Sequence, residues 1–186
     1  ELHKPENIGK FKEKFYQRLA YDEIFSTFLV NSEIRKKIKK VKKIQKKIDL
    51  DQQNKMISKL DFTLTNDQKK TLEEINKDLA SSNKMFRLLQ GDVGSGKTIV
   101  SLLSAFNTVN SGFQVALMAP TEILARQHYL LAKKLFNKNV RIELISGKST
   151  YKDKKHILND LSKHNIDIIF GTHAIFQKKV EFKKLG

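Results

Sequence analysis

Between an apolar run, Met85-Phe86-Arg87-Leu88-Leu89, and a stretch of helical periodicity from Thr98 to Val109 stands the string Gly91-Asp92-Val93-Gly94-Ser95-Gly96-Lys97-Thr98. Its glycines permit backbone conformations that other residues resist, so successive N–H groups can turn into one loop. The helix that follows adds a partial positive charge at its start, and strand, glycine loop and helix together suit a phosphate group. In this setting G-x-x-x-x-G-K-[ST] reads as a nucleoside triphosphate loop. Lys97 would reach the outer phosphates as a point charge, and Thr98 would offer its hydroxyl to magnesium. The expected cofactors from the loop itself are therefore a nucleoside triphosphate and Mg2+. They would be held by Gly91, Asp92, Val93, Gly94, Ser95, Gly96, Lys97 and Thr98, with Lys97 and Thr98 as the catalytic pair and Thr98 as the metal ligand.

The segment also dictates what surrounds it. A run ending in Gly91 predicts a strand over 85–89, and further strands are predicted at Gln114–Met118, Val140–Ile145 and Ile166–Phe170. Helical periodicity fills the intervals at 98–109, 122–136 and 152–161. Strands alternating with crossover helices imply an α/β fold with a parallel sheet and helices on both faces. Binding chemistry then belongs at the C-terminal ends of the strands. Ahead of the loop, Phe62-Thr63-Leu64-Thr65-Asn66-Asp67-Gln68 leads into a helix over 69–79. Thr65 and Gln68 have the spacing of a capping box, and Gln68 could equally pair with both edges of an adenine; the residues leave both readings open.

Residues 1–60 differ in kind. After Pro5 and Gly9 neither glycine nor proline occurs until Gly91, and the apolar residues Leu19, Ile24, Phe25, Phe28 and Leu29 predict a helical face. The stripe is expected to continue through Ile34, Ile38, Val41, Ile44 and Ile48, while nine of the thirteen residues from Arg35 to Lys47 are basic. Such a basic amphipathic helix could lie on nucleic acid, on an anionic membrane or against its own domain with the lysines in water. The formal charge of +16 excludes an acidic solvating protein and favours a polyanionic partner, although half of the excess lies in residues 1–60. The absence of cysteine excludes disulfides and thiolate metal sites. No apolar run is long enough to span a bilayer, so no membrane partner is expected. His128, His156, His164 and His173 are scattered without metal-ligand spacing and are expected to be surface or packing residues.

The strings FTLTNDQ, RLLQGDVGSGKT, ALMAPTEILARQH and FGTHAIFQ, in this order, resemble the superfamily 2 helicases, most closely the RecG-type DNA helicases. The segment LHKPENIGKFKEKFYQRLAYDEIFSTFLV resembles the helices that in that family lead from the DNA-wedge domain into the motor. The resemblance implies a RecA-like ATP-binding sheet over 61–186, preceded by a helical linker over 1–60. It implies adenine recognition by Phe62 and Gln68. It implies contacts with the DNA backbone from Pro120, Thr121, Glu122 and Gln127 and from Gly171, Thr172 and His173, with Gly147 as a further backbone contact. Thr121 and Thr172 each follow a strand, where a hydroxyl and free N–H groups can meet a phosphate oxygen or merely cap a helix. Branched DNA, the remainder of a helicase chain and a bacterial cytoplasmic, nucleoid-associated location are implied as well. The Mfd-type translocases share GDVG, GKT and GTH but differ around the GKT and in the next motif.

Hydrolysis in that superfamily uses a strand ending in Asp-Glu. Here Asp-Glu occurs as Asp22-Glu23, within the helical half, and Asp167 begins a strand instead of ending one. The expectation is a motor fragment truncated before its second acidic motif, binding nucleotide and DNA without hydrolysing or unwinding. A stand-alone nucleotide-sensing module that binds DNA or a protein partner is the other reading.

Overall fold

A computed structural model describes residues 8–40, 44–136, 140–147, 150–177 and 180–186. It divides into two compact units, one made by the first helix with residues 83–87, the other by residues 44–82 and 88–186.

Helix α1 runs from Ile8 to Lys40, about 50 Å at 1.5 Å per residue. Pairs three or four residues apart support it: Arg18 with Asp22 at 3.1 Å, Tyr21 stacked on Phe25 with centroids 5.8 Å apart, and the Arg18 guanidinium 5.7 Å from the Tyr21 ring. The predicted apolar face is present on the helix, yet Leu19, Ile24, Phe25, Phe28 and Leu29 are all exposed. The basic stripe does not continue as helix to Ile48. Val41 lies outside the described residues, and Ile44 to Asp49 are non-helical. Local bonds capture this stretch: Lys46 N–H donates to Leu79 O at 3.2 Å, and Ser111 Oγ donates to Lys47 O at 2.8 Å.

The second unit is the α/β layer. Helices α2 (Leu50–Ile57), α3 (Asn66–Ala80) and α4 (Lys97–Asn110) precede strand β1 (Val115–Met118). Then follow α5 (Glu122–Phe136), β2 (Ile142–Ile145), α6 (Tyr151–Ser162), β3 (Ile168–Gly171) and a 3₁₀ turn, His173–Phe176. The strands are all parallel in the order β1-β3-β2, with Met118, Gly171 and Ile145 in register. Side chains alternate along β3: Ile168 and Phe170 pack with α4 and α5 residues such as Leu103, Phe106 and Phe136, whereas Ile169 packs with Leu161 of α6 and Ile175. Helices therefore cover both faces, as the alternating pattern requires.

The predicted strand over 85–89 is not formed. Met85, Phe86 and Leu88 are exposed and outside the ladders. Apolar composition supplies only half of what a strand needs; the other half is a hydrogen-bonding neighbour, and residues 85–89 pair with none of β1, β2 or β3. At the opposite end of β1, Gln114 is fully buried. Its Nε2 donates to Leu161 O at 2.8 Å and Ile166 O at 2.9 Å, while its Oε1 accepts from Lys184 N–H at 3.0 Å.

Candidate functional site

The glycine loop precedes α4 as the sequence requires. Gly94 (φ 83°) and Gly96 (φ 81°) occupy the left-handed region, where a Cβ meets steric cost. Ser95 N–H closes a turn onto Asp92 O at 3.2 Å. Lys97, the first residue of α4, folds back so that Nζ donates to Gly91 O at 2.8 Å, Asp92 O at 2.6 Å and Ser95 Oγ at 3.3 Å. The ammonium thus sits on the inner carbonyls of its own loop, beside a helix start whose first N–H groups point out of the helix. Thr98 follows, half-buried, and Val93 at the loop tip is fully exposed. A positive side chain, two left-handed glycines and a helix N-terminus converging here fit a polyphosphate.

Gln68 does two things at once. Its Oε1 accepts the Thr65 N–H at 2.9 Å and its own N–H donates to Thr65 Oγ1 at 3.2 Å, which is the capping box read from the sequence. Its Nε2 also donates to Ser95 O at 2.9 Å, a contact that sequence spacing did not reveal. A Cβ on Gly96 would collide with that same amide, adding to the strain that its positive φ already sets against any side chain there. Phe62, half-exposed, lines a cavity of about 300 Å³ together with Lys59, Asp61, Ile99 of α4 and Leu131 and Lys134 of α5. The Lys134 ammonium lies 3.2 Å from Asp61 beside it.

The second group of sequence-predicted residues gathers at the C-terminal edge of the sheet. Because Met118, Gly171 and Ile145 are in register, the segments Pro120-Thr121, Thr172-His173 and Ser146-Gly147 emerge side by side. Pro120, Thr121, Gln127 and His173 are exposed. Thr121 caps α5, its Oγ1 accepting Leu124 N–H at 3.3 Å, whereas the Thr172 side chain makes no capping bond to the 3₁₀ turn. Gly171 allows close packing, since a Cβ there would stand 2.7 Å from Ile175 Cγ2 and 3.0 Å from Ile145 O. Ala119 N–H donates to Gly171 O at 2.9 Å, and the Glu122 carboxylate accepts Gly147 N–H at 3.2 Å. The sequence placed Glu122 and Gly147 in the same site but gave no sign that they touch.

Asp167 lies at the other end of β3, away from this edge. Its carboxylate accepts from Arg141 N–H at 2.8 Å, Nε at 3.1 Å and an Nη at 2.7 Å. Burial alone would raise this carboxyl, but the hydrogen bonds and charge of Arg141 outweigh it and hold it below the ordinary carboxylate range. Of the histidines, His156 Nδ1 is 3.0 Å from Asp160 Oδ2, and His164 adopts φ 64° in the turn before Asp167.

Residues 65–186, which hold the glycine loop and all three strand-end loops, match the family model of the DEAD/DEAH box helicases. The chain belongs to the DEAD/DEAH box helicase family. This DEAD/DEAH segment and its helical extension are similar to the ATP-dependent DNA helicase RecG of Aquifex aeolicus, with 43% identity over 192 residues, covering 100% of this chain and 24% of that protein. The Thermotoga maritima RecG is 45% identical over 94% of this chain and 22% of its own length. Among solved structures, RecG bound to a three-way DNA junction superposes with a TM-score of 0.82 at 44% identity, over 94% of this chain and 24% of that one. The bacteriophage T4 UvsW helicase shares the fold at a TM-score of 0.52 and 19% identity, over 76% of this chain and 50% of that one. The chain thus spans about a quarter of the length of the RecG proteins that it matches.

Proposed function

We propose that this chain is the nucleotide-binding and DNA-contacting part of a RecG-type motor that acts on branched DNA in recombination and repair. The observation that carries the reading is the seating of Lys97 on the carbonyls of Gly91 and Asp92, inside a loop that Gln68 holds from outside. Polyphosphate oxygens would replace those carbonyls as partners of the Lys97 ammonium, Thr98 would hold Mg2+, and Phe62 with Gln68 would take the adenine. Pro120, Thr121, Gln127, Gly147, Gly171, Thr172 and His173 would face the DNA backbone from the sheet edge. Such contacts fix position without reading sequence. Residues 1–60 read as the linker from a wedge domain and 61–186 as the first part of the motor domain, with α2 packing into the latter unit. No helix among the described residues is long and apolar enough to cross a membrane; the cytoplasmic, nucleoid-associated location rests on the RecG-type reading.

Binding and turnover separate in this reading. Asp-Glu stands only at Asp22-Glu23, within α1 and not at the end of a strand. An arginine finger, when supplied by a partner lobe, accelerates nucleotide hydrolysis by roughly 10³–10⁵. The chain is therefore expected to bind a fluorescent ATP analogue and to release no steady phosphate on forked DNA. Lys97→Ala abolishes the binding and Gln68→Ala weakens it. Unchanged binding in Lys97→Ala, or turnover stimulated by forked DNA, refutes the assignment.

A further inference from the structure

We propose that Glu122 is a positioning residue for DNA: it acts through Gly147, strapping the three strand-end loops into one platform, and does not itself meet the nucleic acid. The proposal rests on the reading of the sheet edge as the DNA-backbone surface.

Strands β1 and β2 are not neighbours, because β3 lies between them. With adjacent strands about 4.8 Å apart, the loops leaving β1 and β2 are separated by roughly 10 Å. Helix α5 starts on the β1 side and packs against both β3 and β2. Its first residue, Glu122, reaches the Gly147 N–H beyond the end of β2. This hydrogen bond bridges the C-terminal end of β3, where Gly171 leads into Thr172 and His173. A second bond, Ala119 N–H to Gly171 O at 2.9 Å, fixes β1 to β3 at the same level. Gly147 is matched to the strap: a Cβ there would stand 3.0 Å from Glu122 Oε2.

The charge makes the role testable by sign. A carboxylate beside a polyanion repels it, so if Glu122 acted on DNA only through its charge, removing it would tighten binding. If Glu122 aligns the loops, removing it weakens binding despite the lost repulsion. Glutamine keeps an acceptor oxygen at the same reach and discards the charge.

The test is fluorescence anisotropy of a labelled forked oligonucleotide with the whole chain and its variants, with thermal unfolding measured on each. Glu122→Ala is expected to bind roughly 3- to 10-fold more weakly, the range of one net hydrogen bond. Glu122→Gln returns to within about 2-fold of the parent, a rescue that a generally damaged fold would not give. Unfolding midpoints stay together. Unchanged or tighter binding in Glu122→Ala, alongside weaker binding in Thr172→Val, overturns the strap and leaves the DNA edge standing. No change in either variant overturns both.

Discussion

Gly94 and Gly96 share the same left-handed φ but not the same surroundings, and the difference separates backbone strain from steric conflict. A methyl group on Gly94 meets no atom within 4 Å, whereas one on Gly96 collides with the Gln68 amide. Gly94→Ala is expected to cost about 1–2 kcal/mol of loop strain and to retain measurable nucleotide binding. Gly96→Ala adds displacement of Gln68 from Ser95 O and is expected to bind nucleotide more weakly than Gly94→Ala, checked by parallel fluorescent-nucleotide titrations. The glycine-loop pattern was legible because spacing along one short segment specifies it. The Gln68–Ser95 contact was not, since it joins residues 27 apart in sequence through the packing of α3 beside α4. Asp167 gives a second prediction at this scale. Its folded carboxyl titrates below its unfolded value, so its contribution to stability is full above the unfolded pKa. That contribution is lost as pH falls below about 4 and through the folded pKa. Asp167→Asn should lower stability at neutral pH and flatten the acid limb of a denaturation series below about pH 4.

At the scale of elements, the α3 start shows a local signal carried through to structure. The Thr65 and Gln68 bonds satisfy two N–H groups that a helix start leaves open. Thr65→Ala is expected to cost about 1 kcal/mol in urea unfolding, with Thr65→Ser close to the parent. The elements that sequence misjudged depend on partners far along the chain. The run 85–89 has strand composition without a ladder, and the helix ending at Lys40 in the described chain carries an apolar stripe that continues in sequence after helix is lost at Ile44. A buried polar triad also escaped sequence reasoning. Gln53 of α2 accepts from Asn76 of α3 and Asn107 of α4, each at 2.7 Å, and Asn107 donates to Asn76 Oδ1 at 2.8 Å. Each amide alone reads as surface, and only the meeting of three helices makes them a buried network.

For the whole molecule, net charge proves a blunt guide to the DNA surface. The described part of the lysine run from Arg35 to Lys47 divides between α1, ending at Lys40, and the non-helical stretch from Ile44, and Lys46 is 5% exposed with its ammonium 4.8 Å from the Phe113 ring centre. Lys184 approaches the same ring at 4.5 Å. A cation placed on an aromatic ring and largely removed from water neutralises no phosphate. Lys46→Ala is therefore expected to leave the salt dependence of DNA affinity unchanged while lowering stability. A phosphate-contacting lysine would instead reduce the log–log slope by roughly 0.7–0.9. Anisotropy titrations across a salt series decide between these outcomes.

The strand order has a further consequence during synthesis. Both outer strands, Val115–Met118 and Ile142–Ile145, leave the ribosome before the central one, Ile168–Gly171, which must slide between them. At roughly 5–20 residues per second, the two earlier strands wait for seconds with the edges meant for their common neighbour open. A nascent chain in that interval offers two apolar templates to any other extended peptide, and a holdase that shields them would govern the yield of folded protein more than the stability of the finished sheet.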